Sequence, residues 1–272
     1  MVSWLVTSLV VVVVLKLLVI WLEPRMAFFP LRGVQETPAA AGLSFEDVSI
    51  RTRDGETLHA WWIEHPEPRG QVLFWHGNGG NLSLWLDVLV DLRRRGFSVL
   101  SVDYRGYGAS TGRPSEQGLY ADADAAVEEF DRRLRRPGVP VIYWGRSLGS
   151  TVAAYAVRAA MPDGLVLESP MPDARSLLRS NPLLWLLSFL STYRFPTTRF
   201  LASYDGPLLV IHGERDSIIP PQLGRRVYED APTARKQFVG LPGADHNDPY
   251  FDTVPDYWRA VDRFLAPLED SR

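Results

Sequence analysis

A serine hydroxyl is a poor nucleophile at neutral pH. To attack a carbonyl it needs a base within hydrogen-bond reach, a group that orients the base, and donors aimed at the oxyanion that forms. Four stretches of this 272-residue chain offer those parts. Gly145-Arg146-Ser147-Leu148-Gly149 sets a serine between glycines at minus two and plus two, after the short run VIYW and before an alanine-rich stretch. On a sharp strand-to-helix turn, glycine at both positions removes Cβ atoms that would collide with the returning chain. The same five residues also read as a plain glycine-flanked connection, because patterns this short recur by chance. The following helix would direct its free N–H groups at the reacting carbonyl, which makes the backbone N–H of Leu148 one oxyanion donor. HGNGGN, residues 76–81, offers a second in the N–H of Asn78, although this loop also reads as an anion-binding or structural turn.

The candidate base is His246, in GADHNDPY. Of the five histidines, His59 and His65 fall in an early hairpin, and His76 and His212 precede glycines at strand ends, where structural roles are common. The candidate acid is Asp216, in LLVIHGERDSIIPP, which would hold the imidazole tautomer and stabilise the imidazolium. Glu214, Asp245 and Asp248 read more simply as solvated or capping groups.

These loops need a scaffold that gathers them on one side. Residues 45–52 and 57–65, separated by the Asp54-Gly55 turn signal, predict an antiparallel hairpin. Short apolar strands then alternate with helices: strands at 71–75, 97–103, 139–144, 165–168, 208–212 and 236–239, and helices at 82–95, 115–136, 148–161 and 253–265. Such alternation implies a mostly parallel sheet covered by helices on both faces, with ligands bound beyond the carboxyl ends of the strands. His76, Asp103, Gly145, Glu168 and His212 all stand where an apolar strand stops, so the polar chemistry collects on one edge. Within DYRGYG an Asp103–Arg105 ion pair is expected to hold the turn beside the site, and Glu168 is a candidate supporting acid near the nucleophile.

From residue 45 onward the chain resembles an α/β-hydrolase superfamily serine hydrolase. HGNGGN, VDYRGYGASTGRPSEQGLYADADAA, GRSLG, HGERDSIIP and GADHND occur in that family's order, with serine, aspartate and histidine in its sequence. The longest segment is similar to a single-pass membrane group of abhydrolase-domain proteins related to protein depalmitoylases and to monoacylglycerol or lysolipid hydrolases. The resemblance implies an eight-stranded α/β-hydrolase fold and a Ser147–Asp216–His246 triad. It also implies an acyl-enzyme hydrolysed without metal or organic cofactor. Cleavage of carboxylic esters or thioesters follows, on a small-molecule or lipid-like acyl substrate or an acylated protein. Aminopeptidase-like or acyltransferase chemistry on the same triad, or a non-catalytic membrane scaffold with the fold intact, are the competing readings.

Two segments stand apart from the alternating pattern. Between Met1 and Leu22 the only charged side chain is Lys16, and a 22-residue helix spans ~33 Å, enough for a bilayer core. Trp4 and Trp21 lie near its ends, where indoles favour the interface. A cleaved signal peptide is the alternative, but no basic region precedes the run and the Ala-x-Ala candidate for its cleavage site, at 39–41, lies far downstream. Arg25, Arg32, Arg51 and Arg53 follow the span, which favours a cytoplasmic catalytic domain. Residues 1–22 are therefore expected to be a transmembrane anchor, 23–44 a Pro- and Ala-rich linker, and 45–272 the hydrolase domain. Residues 170–206 interrupt the alternation as a cap or crossover insertion. Their apolar stretch, including Leu183, Leu184 and Leu187, is expected either to shape an acyl pocket and touch the membrane or to pack against the sheet.

Net charge of −3 with dispersed basic residues argues against a nucleic-acid partner. The absence of cysteine excludes disulfides and thiol catalysis. Nothing in the sequence sets an oligomeric state.

Overall fold

The structure is a computed structural model that describes residues 2–248 and 255–269. Its centre is an eight-stranded sheet. In chain order the strands are β1 (Glu46–Arg51), β2 (Thr57–Ile63), β3 (Gly70–Trp75), β4 (Phe97–Val102), β5 (Val141–Arg146), β6 (Gly164–Glu168), β7 (Leu208–Gly213) and β8 (Lys236–Leu241). Across the sheet they run β1-β2-β4-β3-β5-β6-β7-β8. β2 is antiparallel to both β1 and β4, and every other pairing is parallel.

The central strands are buried on both faces, which is why they read as continuous apolar runs. Side chains alternate across the pleat. Leu73, Trp75, Leu100, Tyr143, Leu165 and Val210 pack to one side, with α3 (Glu116–Glu129), α4 (Leu148–Ala156) and α8 (Pro221–Asp230). Val72, Phe74, Val99, Ile142, Trp144, Val166 and Ile211 pack to the other, with α2 (Leu86–Arg94) and α9 (Pro255–Glu269). The start expected for the last helix, at 253–254, lies outside the described residues. α2 begins later than 82 because residues Leu82–Trp85 form a 3-10 turn, capped by Asn81. α3 starts as read: the Ser115 hydroxyl accepts the Gly118 N–H at 3.1 Å.

Helix α1 (Val2–Ala27) is the one helix among the described residues long and apolar enough to cross a membrane. It runs five residues beyond the 22 expected, carrying Pro24 within it. Nor does the segment after it run free, as a linker at 23–44 would. Phe28 is buried against Tyr193 and Phe195. Phe29 and Pro30 pair in parallel with Gly79 and Gly80. Asn81 Nδ2 donates to the carbonyls of Leu31 and Gly33 and to the side-chain oxygen of Gln35. The segment that composition marks as a linker thus finds partners on the hydrolase body.

Residues 170–206 sit over the carboxyl edge of the sheet as three short helices, α5 (Ala174–Ser180), α6 (Leu187–Leu190) and α7 (Thr197–Leu201). The returning half of this excursion is pinned by Glu116 of α3, whose carboxylate accepts the N–H groups of Arg194 and Phe195 at 2.7 Å each.

Candidate active site

Ser147 closes β5 and opens α4 with φ 54° and ψ −117°, a backbone conformation that L-residues rarely adopt. The glycines around it are there for space. A Cβ on Gly145 would run into the carbonyl of Gly149, and one on Gly149 into the carbonyl of Trp75. Rigid main chain on both sides therefore forces the turn, and the Ser147 N–H donates to the Glu168 carbonyl at 2.8 Å.

His246 lies 99 residues further on, in the loop after β8, and its Nε2 stands 3.0 Å from Ser147 Oγ. On the far side of the ring, Nδ1 stands 2.8 Å from Asp216 Oδ2. Asp216 belongs to the loop after β7 and is buried. Its Oδ1 accepts the N–H groups of Ile218 at 3.0 Å and Ile219 at 2.7 Å. Burial opposes ionisation of this carboxyl, but hydrogen bonds from His212 and His246, the charge of His246 and the Ile219 N–H outweigh it. The group is held well below the usual carboxylate range. An acceptor-only carboxylate at Nδ1 places the ring proton there and leaves Nε2 as the acceptor facing the serine.

The histidine loop is held by residues outside these three. Arg146, beside the serine, is buried, and its Nη2 donates to the carbonyls of His246 and Asp248 at 2.9 Å each. Its Nη1 lies 3.8 Å from Glu168, whose carboxylate also accepts from Trp144 Nε1 at 2.7 Å and from the Tyr257 hydroxyl. Asp245 ties the histidine loop to the acid loop: Oδ1 accepts the N–H groups of Ser217 and His246, and Oδ2 accepts the Ser217 hydroxyl. The expectation that Asp245 is merely solvated or capping thus understates it. The signal available for Arg146 was a charged residue inside an otherwise apolar strand end.

Asp103 and Arg105 do not pair with each other. Arg105 turns away to Asp122 and Asp54, while Asp103 accepts the Leu82 N–H at 2.9 Å and faces His59 and His76. Burial pushes the His76 imidazole below its usual range, consistent with a neutral, structural ring. Its backbone carbonyl accepts the Tyr104 hydroxyl and its Nδ1 faces the Gly77 carbonyl at 2.7 Å.

Ser147, Leu148, Asn78 and His246 line one cavity of about 530 Å³. The Asn78 side chain is committed elsewhere: Nδ2 donates to the Ala27 carbonyl at 2.6 Å, and Oδ1 accepts from Tyr107. Leu184 and Leu187 line the same cavity. Leu183 does not: its side chain is 89% exposed, because the turn that carries Leu184 inward points its neighbour out. Trp185, Leu186 and Phe189 are exposed beside it. Met171, Leu177, Tyr193, Phe195 and Ile219 complete much of an apolar wall that the apolar run at 183–190 alone did not disclose.

Comparison with known proteins agrees with this architecture. The family model described as serine aminopeptidase, S33 matches residues 66–205. An uncharacterised membrane protein of Saccharomyces cerevisiae is 30% identical over 86% of this chain and 84% of its own length. The lysophosphatidylserine lipase ABHD12 of Macaca fascicularis is 34% identical over 82% of this chain and 65% of its own. Among solved structures, a Pyrococcus furiosus esterase superposes with a TM-score of 0.73 at 21% identity, covering 89% of this chain and 98% of that one; at that identity the likeness speaks for the fold.

Proposed function

This chain belongs to the α/β-hydrolase family described as serine aminopeptidase, S33, and from that premise we propose that it is a membrane-anchored serine hydrolase cleaving carboxylic esters or thioesters of lipid-like acyl groups. The observation that carries the reading is the His246 ring set between Ser147 Oγ at 3.0 Å and Asp216 Oδ2 at 2.8 Å, at the floor of an apolar cavity.

The chemistry runs as follows. Ser147 Oγ attacks the acyl carbon as its proton passes to His246 Nε2. Negative charge on the carbonyl oxygen is received by the backbone N–H groups of Leu148 and Asn78. The carbon–oxygen or carbon–sulfur bond to the leaving group breaks, and that group departs with the proton from His246. Water, losing a proton to the same nitrogen, attacks the acyl-enzyme, and the free acid leaves as Ser147 regains its proton. Asp216 stays ionised throughout and stabilises the imidazolium.

Lipid-like acyl groups suit the lining, which is dominated by Leu, Met and aromatic side chains, and ABHD12, a relative, is named a lysophosphatidylserine lipase. Aminopeptidase action is less well supported. Glu23 is the one acidic side chain lining the cavity among the described residues, and its oxygens are already taken by residues 191–193. A free α-amino group would find no open carboxylate there. In this reading helix α1 serves as the anchor, and the arginines that follow it favour a hydrolase domain on the cytoplasmic side.

The test is steady-state hydrolysis of p-nitrophenyl esters by the purified full chain in lipid nanodiscs. The wild type turns over, and Ser147→Ala and His246→Ala fall to background with unchanged melting temperatures. Equal activity in wild type and Ser147→Ala overturns the reading.

A further inference from the structure

The cavity does not end at the hydrolase body. Val19, Leu22, Glu23, Met26 and Ala27 of α1 line it together with Ser147 and His246. From Val19 to Ala27 is eight residues, so α1 contributes a wall ~12 Å long. Leu184 and Leu187 of the cap line the same cavity. The same helix, over Val6–Ala27, is the one among the described residues long and apolar enough to cross a bilayer.

The two walls are fastened to each other. Glu23 is buried at the end of the apolar run. Its carboxylate accepts the hydroxyls of Ser191 and Thr192 and the N–H groups of Thr192, at 3.0 and 3.1 Å, and Tyr193, at 3.3 Å. Phe28 then packs edge-on to Tyr193 at 5.5 Å between ring centres. Four hydrogen-bond donors gathered on one carboxylate make a specific junction between anchor and cap. A tether serving only to hold the domain near a membrane needs no such junction, and it would not form a wall of the catalytic cavity.

We propose that the last turns of α1 are part of the substrate site: the acyl chain lies between the membrane helix and the cap, reaching Ser147 from the bilayer side, with Glu23 fixing the spacing of the two walls. The inference rests on the hydrolase reading above and adds to it where the chain binds and which residues set its length preference. Val19 and Leu22 are specificity-determining positions, and Glu23 is a positioning residue that acts through the cap.

The experiment uses the full chain in lipid nanodiscs with 4-methylumbelliferyl palmitate and acetate, and reads the palmitate-to-acetate ratio of kcat/KM. Val19→Trp and Leu22→Trp fill the gap between the walls and lower that ratio about tenfold or more. Glu23→Gln, which places an amide nitrogen among donors, lowers it several-fold through KM for palmitate. Leu17→Trp, 160° around the helix from Val19 by the ~100° step per residue, leaves the ratio within twofold of wild type. Ratios within twofold of wild type for both cavity-facing tryptophans overturn the inference while leaving the hydrolase reading standing. A ratio that falls as far for Leu17→Trp as for Leu22→Trp also overturns it. Wild-type protein inert toward both esters overturns the hydrolase reading itself, and this inference with it.

Discussion

Replacing Asp216 by asparagine is the substitution whose consequence the geometry fixes most closely. Asp216 Oδ1 accepts two backbone N–H groups, from Ile218 and Ile219. In the variant the amide oxygen must take that position, because the reverse orientation sets an NH2 group against two donors. The amide nitrogen is then left where Oδ2 was, 2.8 Å from His246 Nδ1. There it donates, Nδ1 accepts, and the ring proton moves to Nε2, the atom 3.0 Å from Ser147 Oγ. A nitrogen that carries a proton cannot take the one from the serine. The heavy-atom arrangement survives while the base is lost, which costs about 10⁴-fold in kcat in a serine triad. At ~1.36 kcal/mol per decade this is roughly 5 kcal/mol of transition-state stabilisation. The assay is turnover of a short, water-soluble p-nitrophenyl ester by wild type and variant, with thermal unfolding to establish that both are folded. A folded Asp216→Asn protein within tenfold of the wild-type kcat would refute the tautomer reasoning and the role given to Asp216.

Three further outcomes follow from other parts of the structure. Arg146→Met removes two hydrogen bonds that hold the His246 loop; kcat falls about 10- to 100-fold, the scale of one charge-assisted hydrogen bond at ~1.5–3 kcal/mol, with KM nearly unchanged in the ester assay. Gly149→Ala forces a Cβ against the Trp75 carbonyl, where neither side can yield, so urea unfolding shows a loss at or above the ~1–3 kcal/mol typical of overpacking. The His59 imidazole, bonded to Asp103 and Asp47, is held above its usual range although burial pulls the other way; its contribution to stability is fully present below the unfolded value of ~6.5 and is lost as pH rises through the higher folded value, so His59→Gln flattens the fall in urea-unfolding stability above that pH.

The parts of the site that the sequence discloses share one property: each lies at, or in the loop after, the carboxyl end of a strand. β3, β5 and β7 run out at His76, at Gly145-Arg146 and at Gly213, and a parallel sheet brings those ends to one edge. The hairpin turn, the Ser115 cap and the positions of the strands along the chain are legible for similarly local reasons. What stayed hidden depends on contacts between distant segments. Glu23 reads as the first acid after an apolar run, and only the fold shows it gripping residues 191–193. Residues 28–36 look like a linker by composition, yet their partners at 79–83 and 107–112 appear only in three dimensions. Asp103 and Arg105 are two apart and of opposite charge, but both lie past the end of β4, and there each meets a different partner: Asp103 the Leu82 N–H, Arg105 the carboxylates of Asp122 and Asp54. Leu183 and Leu184 are indistinguishable as letters and differ only in which way the turn faces them.

The central claim is that Ser147 is a nucleophile activated by His246, and the most direct measurement is covalent labelling by a fluorophosphonate probe followed by mass spectrometry of the modified peptide. The wild-type protein should carry one adduct, on Ser147, at a rate that drops steeply in His246→Ala, and Ser147→Ala should carry none. A folded wild-type protein that stays unlabelled, or that is labelled at another residue with Ser147 unmodified, would contradict the account.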